Sequence, residues 1–278
     1  MSLININNLK LKLQDKFVLN SVNLNLNSGD RCILVGINGS GKSCLLRVLA
    51  GMHIVKRGSV IIDNKTSFQD QCYGIAFLGE SWSRSVAFSG HSVAYQADIK
   101  VKDMMKKVQE ENNERKEVLY EVLGINPEWR MHLVSSGQRR RVRLLLGLLK
   151  PFKVALIDEM TMDLDIITRV KFMNWLKNES IQNNACIIYA THIFDGLIDW
   201  GTHVAHMKPN GILDGAKIIE SDIMEIAYQY LSGDYKYLKN NNISEKEDGD
   251  GYKELKRSKN KKNGPQGGYG SGRLVNFS

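Results

Sequence analysis

No stretch of this 278-residue chain approaches the roughly 20 consecutive apolar residues that a membrane-spanning helix needs. The most apolar run, LLLGLLKPFKVALI, is interrupted by Lys150, Pro151 and Lys153. The opening MSLININN lacks a basic start followed by an apolar core, so it does not read as a secretory signal. The four cysteines, Cys32, Cys44, Cys72 and Cys186, form neither a C-x-x-C pair nor a metal-ligand spacing, which suits a reducing compartment. No internal repeat is present. These absences leave a soluble globular protein as the expectation, placed in the cytoplasm with the nucleus as the alternative. Most of the chain also lacks an excess of either charge. The formal charge is +8, but Lys253, Lys256, Arg257, Lys259, Lys261, Lys262 and Arg273 stand against Glu254 alone after residue 250, leaving about +2 for the rest. A broad nucleic-acid footprint on the body is therefore excluded, and any such contact is expected through the tail only. The expected division is a folded domain over 1–235 and a basic, glycine-rich, disordered tail over 236–278.

What the chain does have is VGINGSGKSC over residues 35–44. It matches G-x-x-x-x-G-K-S, with the loop Gly36, Ile37, Asn38, Gly39, Ser40, Gly41, Lys42, Ser43 and then Cys44. Glycines let backbone N–H groups converge on a phosphate without Cβ clashes, and the helix that follows presents its positive end to the anion. Lys42 can reach the β- and γ-phosphates, and the Ser43 hydroxyl can sit on Mg²⁺. The apolar RCILVG before the loop reads as a strand and SCLLRVLAGM after it as a helix.

The surrounding pattern supports an α/β fold. The first 30 residues alternate apolar and polar, as half-buried antiparallel strands do, and KRGSVIIDNKT and YGIAFLG read as further strands. VKDMMKKVQEENNERKEVLYEVLG has helical periodicity ending at glycine, and GQRRRVRLLLGLL reads as a helix stopped by Pro151. FKVALID, IITRVKFMNWLKNES, ACIIYATH, FDGLIDWG and HVAHM then read as alternating strands and helices, which implies crossovers and a parallel sheet.

The run Val154 to Ile157 leads into Asp158 and Glu159. A carboxylate at the end of a strand beside the P-loop strand is where a P-loop enzyme holds Mg²⁺, and the next one can orient or deprotonate a water. By itself the pair is equally compatible with a surface position. Its spacing, about 115 residues after the P-loop and about 20 after VSSGQRRRV, carries more information.

At VSSGQRRRV the sequence begins to resemble the ATP-binding-cassette (ABC) ATPases, whose signature is L-S-G-G-Q followed by basic residues and a helix. Ser135, Gly137 and Gln138 keep that signature, with Val134 and Ser136 as departures. MTMDLD resembles the family's D-loop, with Asp165 at its aspartate. IIYATH places His192 where the family has its switch histidine. The resemblance covers residues 1 to about 225. It implies a P-loop ABC-ATPase fold with a mainly parallel core sheet, an N-terminal antiparallel β subdomain and an inserted helical subdomain at about 80–150. It also implies a homodimer, or pairing with a related subunit. Each Mg-ATP would lie between the P-loop, Asp158, Glu159 and His192 of one subunit and Ser135, Gly137 and Gln138 of the other.

Three positions depart from the family. Leu13 stands where an adenine-stacking aromatic is usual, with Phe17 the nearby substitute. Gly79 and Glu80 follow the strand where a glutamine is expected, and Gln96 is the nearest later one. Cys44 replaces threonine, and a thiol at a helix start beside Lys42 is expected to ionise readily. EWRMHLVSSGQRRRV, with Trp129, Arg130, Met131 and His132, and YATHIFDGL are similar to soluble, non-transporter eukaryotic members. Those include a yeast factor associated with the Not transcription-regulatory and deadenylation complex, and plant relatives. The resemblance implies a regulatory ATPase acting on a soluble gene-expression complex. A transporter's ATPase subunit and an RNA-associated ATPase are the alternatives.

Overall fold

The computed structural model describes residues 2–14, 16–66, 74–79, 85–88, 91–94, 98–162 and 164–241, with the backbone alone at 85–88 and 91–94. All of them lie in the first of two units, Met1–Lys246 and Glu247–Ser278. Of the tail expected to be disordered, residues 242–278 lie outside the described residues.

Two long strands, β1 (Ser2–Leu13) and β2 (Lys16–Asn27), pair antiparallel and begin the chain. Their alternating pattern puts Ile4, Ile6, Leu9, Leu19, Val22, Leu24 and Leu26 into the core and leaves asparagines on the other face. Strands β4 (Val60–Ile62) and β5 (Lys65–Thr66) extend this sheet on the β1 side, and β12 (Ile212–Asp214) on the β2 side.

The second sheet contains β3 (Arg31–Val35), β6 (Ile75–Leu78), β9 (Val154–Asp158), β10 (Cys186–Ala190), β11 (His203–His206) and β13 (Ala216–Ile218). Its order is β13-β11-β3-β10-β9-β6, parallel except at β13. The mainly parallel sheet is thus as expected. One detail differs: β10 lies between β3 and β9, so the strand ending in Asp158 is one removed from the P-loop strand.

Every residue of β3, β9 and β10 is buried, because both faces of the sheet are covered. Cys32, Leu34, Leu156, Ile188 and Ala190 face one apolar cluster with α1 (Lys42–Leu49) and the antiparallel sheet. Ile33, Val35, Ile157, Ile187 and Tyr189 face the other. That second cluster receives α3 (Asn113–Leu123), α4 (Ser136–Leu148) and α5 (Ile166–Gln182). Arg115 ties these helices together: it pairs with Glu179 at 2.8 Å, donates to the Leu148 carbonyl and lies over the rings of Phe152 and Trp175.

Four local differences separate the structure from the sequence pattern. The helical run from residue 101 is divided into a 3₁₀ turn at Val101–Asp103, α2 (Lys106–Glu111) and α3. The first break falls at Met105, in the left-handed region, where buried Gln109 donates to the Val101 and Met104 carbonyls and accepts from Tyr120, and the second falls at Asn112. The region expected to be helical from about 80 holds a hairpin, β7 (Ser85–Phe88) with β8 (His91–Ala94). FDGLIDWG forms successive turns, because Gly196 and Asp199 both take positive φ and interrupt any helix. A final helix, α6 (Ile223–Asn240), crosses the position 235/236 where the folded domain was expected to end. Buried Asp234 fixes α6 to β11 through His206, 2.9 Å away, whose ring stacks on Tyr230.

Candidate active site

The strand ends of β3, β9 and β10 are in register: Ala190 pairs with both Leu34 and Asp158. The chain leaves each strand at the same edge, and the candidate residues gather there. In parallel α/β sheets this edge is where ligands bind.

After β3 the loop turns directly into α1. Gly36 is required by space: a Cβ there would meet the Met207 carbonyl oxygen at 2.4 Å and Ser40 Oγ at 2.8 Å. Gly41 caps the helix at φ +109°, a conformation costly for other residues. Lys42, 4% exposed, folds back so that Nζ donates to the Gly36 and Ile37 carbonyls at 2.8 and 3.0 Å. Asn38 is exposed, and Ser40 Oγ is buried with no hydrogen-bond partner among the described residues. A glycine-walled loop, a buried ammonium and an orphaned hydroxyl at a helix start form a cradle for an oxyanion. Cys44 is half-buried in the first turn of α1.

The Asp158 carboxyl, at the end of β9, is pushed above the usual carboxylate range by burial, an effect opposed by the Ser43 hydroxyl hydrogen-bonded to it. Gly79, after β6, packs against it: a Cβ on Gly79 would lie 3.5 Å from that of Asp158. A hydroxyl and a poorly solvated carboxylate are hard oxygen donors, and they fit Mg²⁺ that also takes phosphate oxygens and water. Among the described residues no group of three His, Cys, Asp or Glu could hold a metal by itself.

Glu159 breaks from the strand at φ +52°, its N–H donating to the Ala190 carbonyl. Its Oε1 lies 3.0 Å from His192 Nε2, and that imidazole holds the Glu159 carboxyl below the usual range. His192 stands two residues beyond β10, shaped by a tight turn in which the Thr191 hydroxyl accepts from the Ile193 N–H.

The signature residues stand elsewhere. Ser135 caps α4: its Oγ accepts from the Gln138 N–H, and Gln138 Oε1 accepts from the Ser135 N–H. The serine accepts in this box, so its own proton can still be donated outward. Ser135 is exposed, with Gly137 two residues on. Helices α1 and α4 pack on opposite faces of the core sheet. Asp165 caps α5, accepting from the Thr168 N–H and hydroxyl, and pairs with Arg141 at 2.6 Å.

Some contacts were not foreseen. The arginines after the signature were visible, but nothing in their spacing showed that Arg140 would reach the Glu159 carbonyl or Arg141 the Asp165 side chain. Phe17 is 53% exposed with Lys12 over its ring. Its neighbour Val18 touches the P-loop, because a Cβ on Gly41 would lie 3.0 Å from the Val18 carbonyl oxygen. Leu13 is partly buried against the core. Glu80, Gln96, Cys72 and Asp163 lie outside the described residues.

Comparison with known proteins agrees with this geometry. Residues 19–162 match the family described as "ABC transporter". The chain is 44% identical over 209 residues to ABC transporter I family member 20 of Arabidopsis thaliana, covering 74% of this chain and 63% of that relative. It is 34% identical over 239 residues to CCR4-associated factor 16 of Saccharomyces cerevisiae, covering 80% of each. Its fold is similar to a dimeric ATP-binding cassette bound to ADP and phosphate in a post-hydrolysis state. The TM-score is 0.62 at 19% identity, over 78% of this chain and 99% of that one. Among the described residues no helix is long and apolar enough to cross a membrane.

Proposed function

The chain belongs to the ABC ATPases, a family of ATP-hydrolysing domains, and from that premise we propose that it hydrolyses Mg-ATP between two copies of itself, as a soluble regulatory ATPase acting on a gene-expression complex. The observation that carries the ATPase reading is the gathering of Lys42, Ser43, Asp158, Glu159 and His192 at three register-matched strand ends. The P-loop N–H groups and Lys42 hold the phosphates, and residues from Gly36 to Cys44 line that contact. Ser43 and Asp158 would hold Mg²⁺, which when bound would offset the negative charge of the phosphates. Glu159 would take a proton from the attacking water, and His192, 3.0 Å from its Oε1, keeps that carboxylate oriented and would contact the γ-phosphate. Ser135, Gly137 and Gln138 close the site from the second copy. The exposure of Ser135, and the packing of α4 on the face opposite α1, support that assignment. Asp165 lies beside the junction. A fold neighbour that is itself a dimer supports the two-copy arrangement.

The regulatory reading rests on the yeast relative, whose name associates it with CCR4. The second reading, a transporter's ATPase subunit, is favoured by the family description and the plant relatives' names. Glu159→Gln separates them. The variant is expected to lose about 10²–10⁴-fold in kcat and to persist as an ATP-bound dimer. Its affinity purification with Mg-ATP then recovers soluble mRNA-decay or transcription proteins. Hydrolysis at the wild-type rate would sink the role of Glu159, and recovery of a polytopic membrane protein would replace the regulatory reading with transport.

A further inference from the structure

Residues 159–165 link β9 to α5 and carry Glu159 at one end and Asp165 at the other. Both ends are held by neighbouring arginines of α4. Arg140 Nη1 donates to the Glu159 carbonyl at 3.1 Å, and Arg141 Nη2 meets Asp165 Oδ2 at 2.6 Å. Between them buried Thr161 shares a hydrogen bond with the hydroxyl of Tyr189, which is fully buried inside β10.

Glu159 needs such support. A non-glycine residue at φ +52° is strained and persists only where surrounding groups over-determine it. Its N–H is bound to the sheet through Ala190, and its carbonyl to α4 through Arg140. With the peptide groups on both sides of its Cα engaged by different elements, the direction in which the side chain leaves the backbone is set. Removing Arg140 leaves the strained conformation held from one side.

We propose that Arg140 is a positioning residue for hydrolysis: it holds the Glu159 carbonyl, keeps that residue in its left-handed conformation and joins it to the helix that begins at Ser135. It acts through Glu159, so the proposal rests on the reading of Glu159 as the group that meets the attacking water. It also makes α4 and the loop one mechanical unit. Movement of the signature helix is thereby transmitted to Glu159 of the same chain.

The test uses the full chain with Arg140→Met and Arg140→Lys, and two readouts. In steady-state hydrolysis Arg140→Met is expected to lower kcat about 10-fold, as a small misplacement of a reacting group does, with KM for ATP within about 2-fold. Arg140→Lys, which retains a cationic donor, recovers most of the loss. Adding Arg140→Met to Glu159→Gln costs nothing further, because the two act as a unit. Amide exchange, followed without nucleotide, is expected to speed up at residues 159–165 in Arg140→Met and not in Arg140→Lys. Unchanged kcat, a parallel rise in KM, or unchanged exchange would overturn the proposal. If Arg140→Met does not fold, Arg140→Gln carries the same two readouts. The exchange readout is independent of activity, so a wild-type chain that fails to hydrolyse ATP would sink the proposed function while exchange still decides the role of Arg140.

Discussion

Lys42, Ser43, Asp158, Glu159 and His192 stand at or beyond the ends of β3, β9 and β10, each tied to another of the group or to the loop that carries it. Ser135, Gly137 and Gln138 stand at the exposed start of α4, with their hydrogen bonds turned inward on a single helical turn. The first group is shaped by tertiary structure: buried strands, a glycine pressed against a backbone oxygen, a carboxylate denied water. The second is shaped by local capping. The difference is what a site shared between two copies would look like in one of them. In the proposed function, binding chemistry belongs to the strand ends and completion to the helix start.

Experiments can break either half separately. The largest effect is expected at Lys42. Lys42→Ala removes the charge-assisted contacts to phosphate, about 3 kcal/mol or more, so ATP affinity measured by titration falls at least about 100-fold. The presentation of Ser135 stays intact. Alkylation of Cys44 crowds the same cradle and is expected to weaken ATP binding about 10-fold, close to the effect of one strong contact. Bound ATP should protect the thiol, and Cys44→Ser should abolish the effect. Cys32 and Cys186 resist the reagent, because burial raises their thiols well above the ordinary range. Equal labelling of all three in the folded protein would contradict this ordering.

Phe17 sharpens the boundary of the strand-end half. If its exposed ring stacks on the base, Phe17→Ala raises KM for ATP about 5-fold, the low end of what one stacked base contributes, with kcat unchanged. An unchanged KM would leave the base without an aromatic partner at this position. The smallest effect lies outside both halves. Lys100 and Lys102 hold the exposed Glu128 carboxyl down at about 2. A depressed carboxylate stabilises the fold above its unfolded value, near 4.5, and that contribution fades as pH falls toward 2. Glu128→Gln should therefore lower the melting temperature slightly at neutral pH and converge with the parent near pH 2. ATP hydrolysis should not change.

The strand-end half was largely legible in the sequence. Continuous apolar runs before Gly36, Asp158 and His192 read as buried strands, and each functional residue follows its run directly. Parallel strands buried on both faces leave that signature because no residue in them meets water. The order of those strands was not legible: β10 inserts between β3 and β9, and apolar runs of similar composition do not encode their neighbours. The turns at FDGLIDWG were missed because apolar spacing resembled a helix, while Gly196 and Asp199 required positive φ. The break at Met105 depends on the side chain of Gln109, which only tertiary packing places against the Val101 and Met104 carbonyls. The grip of Arg140 on Glu159 was equally hidden. Four arginines within five residues look alike in sequence, and their partners arrive from about 20 residues away.

The most direct test of a shared site is to mix two defective proteins. Lys42→Ala has an intact helix start and a broken cradle, and Ser135→Arg has the reverse. Each alone should hydrolyse ATP at no more than a few per cent of the parent rate, on the order of the loss from one missing transition-state contact. Mixed in equal amounts, they should form a heterodimer with one complete site, and hydrolysis should rise several-fold above either alone. If Ser135→Arg alone keeps full activity, or if the mixture never exceeds its components, the two halves do not complete one another across copies.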